Sequence, residues 1–218
     1  MIISPPDSPA PAVVPARPGA VLAYMGRLAI LTAGLFCFAV GVVLTFKSQL
    51  GLGPWDCFHL GLSLHLPITV GEASIITGGL VMMLSLFLGV RPGVGTIGNM
   101  VLIGLFFDLL YPLVPNLDHP ALIWQLAVDV VGVVIVGIGS GLYIKAGLGA
   151  GPRDSLMLAL TRRTGRRVSV MRATVELSAL TIGFLMGGTV GLGTLVFAFG
   201  VGPAVELGFR LLRVEAHH

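Results

Sequence analysis

Charge is what this 218-residue chain has least of: Asp, Glu, Lys and Arg together make up 11% of it. With 55% apolar residues and a mean hydropathy of +0.97, so few charges exclude an ordinary soluble domain and point to lipid as the solvent. Cysteine is almost missing. Cys37 falls inside an apolar run and Cys57 lies beyond its end, so no disulfide framework is expected. No His-Glu-x-x-His helix, cysteine pair with metal spacing, phosphate loop or serine elbow occurs. His59 and His65 lie outside the apolar runs and lack the acidic companions of a zinc site. Catalytic residues, metal sites and cofactors are therefore not expected, and the chain reads as a non-enzyme. The net charge of +3 and pI near 9.2 do not call for nucleic acid, because the basic residues form one edge of a membrane protein.

What the chain has is apolar runs. Hydrocarbon offers backbone groups no hydrogen-bond partner, so a spanning segment must be a helix of about 20 mostly apolar residues. Six such runs fall at roughly 27–46, 69–88, 96–114, 121–145, 168–187 and 193–212. Two shorter segments, Pro54 to Leu66 and Pro152 to Arg163, reach only about 20 Å as helices and are too short to cross comfortably.

Residues 34–110 recur without a gap as residues 132–208, an offset of 98 (132 − 34). Lys47, Leu50, Gly51, Gly53, Pro54 and Asp56 reappear as Lys145, Leu148, Gly149, Gly151, Pro152 and Asp154. Gly89, Gly93, Gly95 and Thr96 reappear as Gly187, Gly191, Gly193 and Thr194, and Asp108 as Glu206. Three spans per copy is an odd number, so the second copy must enter the bilayer upside down. The expected fold is an all-α polytopic membrane protein of six transmembrane helices. It forms two inverted-topology three-helix repeats, each with an extra short helix that is re-entrant or interfacial.

The alternative of eight spans with parallel repeats is decided by the basic residues. With a cytoplasmic amino terminus, six spans put Arg17, Arg27, Arg91, Arg153, Arg162, Arg163, Arg166, Arg167, Arg210 and Arg213 inside and Lys47 alone outside. Eight spans would export Arg91 and Arg153, so both termini are expected in the cytoplasm. Residues 1–19 carry six prolines and read as a disordered cytoplasmic tail rather than a signal peptide. Residues 20–116 form repeat 1, 117–213 form repeat 2, and 214–218, with His217 and His218, form a short C-terminal tail.

The most specific local signal is the pair Gly51-Leu-Gly-Pro-Trp-Asp56 and Gly149-Ala-Gly-Pro-Arg-Asp154. Read as punctuation, Gly53 and Gly151 end one element, Pro54 and Pro152 open the next, and Asp56 and Asp154 accept from free N–H groups in its first turn. Read as function, these short helices, with Trp55 and Arg153 at their second positions, line a vestibule and turn their positive ends toward an anionic group or a permeation path. Both readings can hold together.

These motifs, with Gly151-Pro-Arg-Asp-Ser-Leu-Met157 and Val190-Gly-Leu-Gly-Thr194, resemble the bacterial YczE-like membrane proteins of the YczE, YyaS and YitT group. The resemblance covers nearly the whole chain beyond the tail. It implies a polytopic inner-membrane protein and brings no substrate or catalytic residue with it.

Ionisable groups at membrane depth are costly and therefore candidates for solute or ion binding. Asp129 and Glu176 fall near the centres of the fourth and fifth spans, and Asp108 and Glu206 near the ends of the third and sixth. Inversion assigns Lys47 and Asp108 to an outer cluster beside Trp55, Asp56 and His59. It assigns Lys145 and Glu206 to an inner cluster beside Arg153 and Asp154, so that two gates would flank a central site. The bland alternative is that the lysines snorkel and each acid pairs locally. Arg172 and Glu176 are four apart on one helix and can neutralise each other; their counterparts, Ser74 and Gly78, break the repeat symmetry. Asn99 can face a polar cavity, and Glu72 belongs at the outer interface. Paired glycines such as Gly34 with Gly41 and Gly132 with Gly139 read as helix–helix contacts.

The expected function is a secondary transporter or channel-like permease for a small polar or ionic solute in the bacterial cytoplasmic membrane, with the lipid bilayer as partner and homo-oligomerisation left open. The competing class is an accessory membrane protein that binds a partner or lipid and moves nothing. For that class Arg162 to Arg167 would matter and the buried acids would not.

Overall fold

A computed structural model of the protein describes residues 18–116, 121–149 and 151–212. The remaining residues of the proline-rich segment, the C-terminal tail and part of the repeat boundary lie outside them, as do Arg17, Arg213, His217 and His218. Among the described residues the fold is all-α: α1 (Pro18–Ser48), α2 (Pro54–His65), α3 (Val70–Phe87), α4 (Val94–Leu110), α5 (Leu122–Lys145), α6 (Pro152–Thr164), α7 (Val168–Leu185) and α8 (Leu192–Leu211). All six expected runs are helical, and the two short segments are helices of their own.

Five helices, α1, α3, α5, α7 and α8, are long and apolar enough to cross a bilayer, and α4 is shorter at 17 residues. The expected third span ran to 114, but the chain turns at Tyr111 ahead of Pro112, which cannot continue a helix. In the other direction α1 begins nine residues before the expected span, because Pro18 at its start already has a helical φ and no N–H to satisfy. Pro18 and Gly19 are thus helix and not tail. The outer faces keep the apolar side chains that lipid demands: Phe87 is 85% exposed and Phe199 79%.

Most equivalent helices make equivalent contacts, although α3 packs on α4 while α7 and α8 make no comparable contact among the described residues. α1 packs on α5, α4 on α1 as α8 on α5, and α2 on α3 as α6 on α7. The short helices cross over, with α2 against α7 and α6 against α3. The two repeats are therefore interleaved rather than side by side. Neither buries its apolar surface without the other.

The α1–α5 contact organises the whole. A Cβ on Gly34 would lie 2.6 Å from the Tyr143 backbone nitrogen, and one on Gly41 would lie 2.6 Å from the Gly132 carbonyl. Further along, Ser48 reaches Asp129. Residue numbers rise along α1 as they fall along α5, so the two helices are antiparallel. Their crossing centres near Phe38 and Val136, which are themselves equivalent (136 − 38 = 98). Small residues bring the backbones together there, which in lipid replaces the hydrophobic drive available in water. Leu31, Leu35, Tyr143 and Ala146 fill one side of the crossing, and Val42, Val43, Phe107 and Val136 the other.

The loops repeat the pattern. Gly95 N–H donates to the Leu148 carbonyl at 2.8 Å, and Gly193 N–H to the Leu50 carbonyl at 2.8 Å. Gly93 N–H donates to Thr96 Oγ1 at 3.1 Å, as Gly191 N–H does to Thr194 Oγ1. Gly51 and Gly149 take φ of +104° and +129°, which side-chain-bearing residues rarely adopt, and this fixes glycine before each short helix.

Candidate functional site

The site grows from the two Gly-Pro-x-Asp motifs. Gly53 and Gly151 cap α2 and α6 in the same extended conformation, with φ −61° and −60°, Pro54 and Pro152 occupy the first helical position, and Asp56 and Asp154 stand in the first turn. Both helix starts line one cavity of about 790 Å³. That volume lies within the ~300–1,000 Å³ typical of small-molecule sites.

The cavity sits on the internal symmetry of the contacts. Phe38 and Val136, the centre of the α1–α5 crossing, both line it. Trp55 and Arg153 are equivalent positions and touch each other, with the guanidinium 4.8 Å from the indole centroid. Gly53 faces the Phe197 ring while Gly151 faces the Asn99 amide, again equivalent places holding different chemistry.

Charge enters mostly from the second copy. Arg153 stands within electrostatic reach of Asp56, Asp154, Glu176 and Tyr143. Asp154 is hydrogen-bonded to Tyr143 and feels Arg172 and Arg153. Arg172 Nε lies 3.1 Å from Glu176 Oε1. Across from them, the first copy contributes Trp55, Asp56, His59, Ser74, Thr77 and Asn99. His59 is buried on α2, which does not span the bilayer; burial first and the Arg153 guanidinium second push it well below its usual range, so its imidazole is neutral.

Of the residues singled out from sequence, the cavity unites Gly53, Pro54, Trp55, Asp56, Asn99, Gly151, Pro152, Arg153, Asp154, Arg172 and Glu176. Arg153 is half-buried against Trp55. The two charged gates do not form. Lys47 donates to Asn116 Oδ1 at 2.8 Å and lies 4.1 Å from the Tyr111 ring centroid, not beside Asp108. Asp108 accepts from Thr69 Oγ1 and from Gly71 N–H at 3.0 Å, because the free amides at the start of α3 face the end of α4. Lys145 donates to the Leu212 carbonyl at 3.0 Å, satisfying the open end of α8, and Glu206 pairs with Arg210 one turn away at 2.6 Å.

Asp129 is also outside the cavity. It is 1% exposed between α5 and α1, with Oδ1 3.0 Å from Ser48 Oγ and no partner for Oδ2 among the described residues. Four polar contributors escaped the sequence reading: Thr77, Ser169, Tyr143, hidden in an apolar span where its equivalent is Thr45, and Ser140 one turn before it. The clue to Tyr143 was a phenol in the apolar C-terminal half of α5, and Ser140 carried none.

Comparison with known proteins agrees with this architecture. The chain is 44% identical over 172 residues to the uncharacterized membrane protein YczE of Bacillus subtilis, covering 78% of this chain and 79% of that one. It is 32% identical over 190 residues to an uncharacterized protein of Haemophilus influenzae, covering 87% and 86%. With the uncharacterized protein YyaS of Bacillus subtilis it shares 26% over 183 residues, covering 83% and 88%. No solved structure matches. Residues 25–209 match a family of unknown function, DUF6198. A multi-pass helical membrane chain with these relatives belongs to the DUF6198 family.

Proposed function

We propose that the chain is a secondary transporter or channel-like permease for a small polar or ionic solute in the bacterial cytoplasmic membrane. One observation carries the reading: the starts of two equivalent short helices converge on one cavity lined by charged residues inside an apolar helical protein. Two equivalent helices that run antiparallel are related by an axis perpendicular to them, and for crossing helices such an axis lies in the membrane plane. This supports inverted repeats with α4 as the sixth span. A cavity lined by both members of an equivalent pair, Phe38 with Val136 and Trp55 with Arg153, then falls at the midplane. That is where interrupted helices build alternating-access sites.

Two measurements test this. With Cys37 and Cys57 replaced, a cysteine at Leu66 is expected to label only from outside and one at Gly165 only from inside; labelling from the same side overturns the inverted arrangement. In proteoliposomes, Ser140→Trp, which fills the cavity from α5, is expected to abolish solute flux. A flux untouched in folded Ser140→Trp protein removes the cavity from the path. The accessory reading draws on the exposed Arg162, Arg163, Arg166 and Arg167 at the α6–α7 turn, which fit anionic headgroups. It predicts that replacing those four abolishes function and that filling the cavity does not.

A further inference from the structure

The cavity carries an odd number of charges. Asp56, Asp154 and Glu176 contribute three carboxylates, and Arg153 and Arg172 contribute two guanidinium groups. The groups are electrostatic neighbours: Arg153 lies within reach of all three carboxylates, and Arg172 within reach of Asp154 and Glu176. With a neutral His59 and a phenolic Tyr143 already bonded to Asp154, three negative charges face two positive ones (3 − 2 = 1). With Asp56 buried, an uncompensated charge in the cavity costs more than one in bulk water. A ligand that brings one positive charge removes that penalty, one that brings a negative charge doubles it, and a neutral one leaves it in place.

The rest of the lining sets the size and character of that ligand. A volume of about 790 Å³ far exceeds what a bare metal ion needs. Phe38, Phe197 and Phe209 give the cavity an apolar aromatic wall beside the charged groups, of the kind that attracts ammonium groups.

Resting on the transporter reading, we infer that the site takes a small organic monocation, an amine or quaternary ammonium compound with an apolar body. Asp56, which faces Arg153 alone, and Glu176, whose side chain is 41% exposed, are the groups that receive the ammonium.

The test is direct binding to purified full-length protein in nanodiscs, followed by calorimetry. The probes are C4–C8 monoamines and quaternary ammonium compounds, set against alcohols and carboxylates with the same carbon skeletons. The amines are expected to bind at least about tenfold more tightly than either counterpart. Glu176→Gln, which makes the cavity neutral, is expected to abolish the preference for amine over alcohol. Arg172→Gln, which leaves a charge of minus two, is expected to favour diamines over monoamines. Carboxylates binding more tightly than amines in the unmodified protein would overturn the charge assignment without touching the transporter reading. An amine preference unchanged in folded Glu176→Gln and Arg172→Gln would overturn the assignment of these residues. Binding to none of the three classes, in protein that still moves some solute in proteoliposomes, would overturn the monocation inference alone; absence of flux for every solute is the separate failure that removes the transporter reading.

Discussion

The two halves of this chain share a backbone plan and differ where they meet the cavity. Gly53, Pro54 and Asp56 are matched by Gly151, Pro152 and Asp154, and Thr96 caps α4 as Thr194 caps α8. Around the cavity the match fails: Trp55 faces Arg153, Ser74 and Gly78 answer Arg172 and Glu176, and Asn99 answers Phe197. Positions that fix helix ends tolerate little variation, since a left-handed glycine or an N1 proline is required by the chain itself. Positions that project into empty space are under no such constraint. The symmetric residues therefore hold the scaffold and the asymmetric ones give the cavity its chemical character.

The comparison breaks most completely where the halves touch. Gly41→Leu places a branched side chain against the Gly132 carbonyl and Val136, with no soft group to yield. A loss of about 3 kcal/mol or more is expected, read as loss of monodisperse protein on size-exclusion chromatography. Gly26→Leu, on the same helix with nothing near its Cβ, is the control and leaves the profile unchanged.

A smaller effect separates the two equivalent residues that touch, Trp55 and Arg153. Arg153→Leu removes the countercharge between Asp56 and Asp154 and is expected to cost about 2 kcal/mol, below the range for a fully buried pair because the cavity admits water. Trp55→Leu gives up only the ring contact with the guanidinium, about 1 kcal/mol. Thermal unfolding of the two variants in one detergent ranks them. Equal losses would mean that the stack, and not charge balance, holds the α2 and α6 starts together.

The buried acid tests asymmetry from the opposite direction. Ser48 and Asp129 occupy the places that Ala146 and Leu31 fill in the equivalent contact, an apolar pair within the core. Ser48 Oγ lies 2.8 Å from the Thr45 carbonyl and 3.0 Å from Asp129, yet has a single proton to donate. An amide at 129 can donate to Ser48 Oγ and complete the chain, so Asp129→Asn is expected to hold stability within about 0.5 kcal/mol. Asp129→Leu leaves Ser48 Oγ bonded to the Thr45 carbonyl and the Leu50 amide but sets an apolar side chain against it, at about 1 kcal/mol. Adding Ser48→Ala to Asp129→Leu copies the equivalent contact and should recover most of that loss. Failure to recover would show that the acid has a role beyond filling its place.

The sequence carried the helices, the duplication and the paired starts of α2 and α6, because apolar length, the 98-residue offset and Gly-Pro-x-Asp are all local or periodic signals. It misplaced the charged pairs. Symmetry suggested Lys47 with Asp108 and Lys145 with Glu206, but long flexible side chains choose partners from whatever helix ends lie within reach. Those ends are set by packing: the start of α3 took Asp108, and the end of α8 took Lys145. The convergence of Trp55 and Arg153 was equally beyond sequence, since it depends on α2 and α6 crossing to the opposite repeat.

The gentlest way to sharpen the comparison uses Asp108 and Glu206, equivalent in sequence and unlike in surroundings. Asp108 joins two helices through Thr69 and the Gly71 amide, whereas Glu206 is largely exposed and bonds only along its own helix to Arg210. Hydrogen bonds to a carboxylate are worth about 1.5–3 kcal/mol, and exposed i,i+4 pairs about 0.3–0.5. Asp108→Asn keeps one acceptor oxygen but must turn an amine toward one of the two donors, so a loss of about 1.5 kcal/mol is expected. Glu206→Gln should shift the unfolding midpoint by less than the scatter between preparations. If Glu206→Gln instead stops solute flux while leaving the midpoint in place, the acid belongs to a state in which α8 has moved. The equivalence that fails in this conformation would then be restored in another.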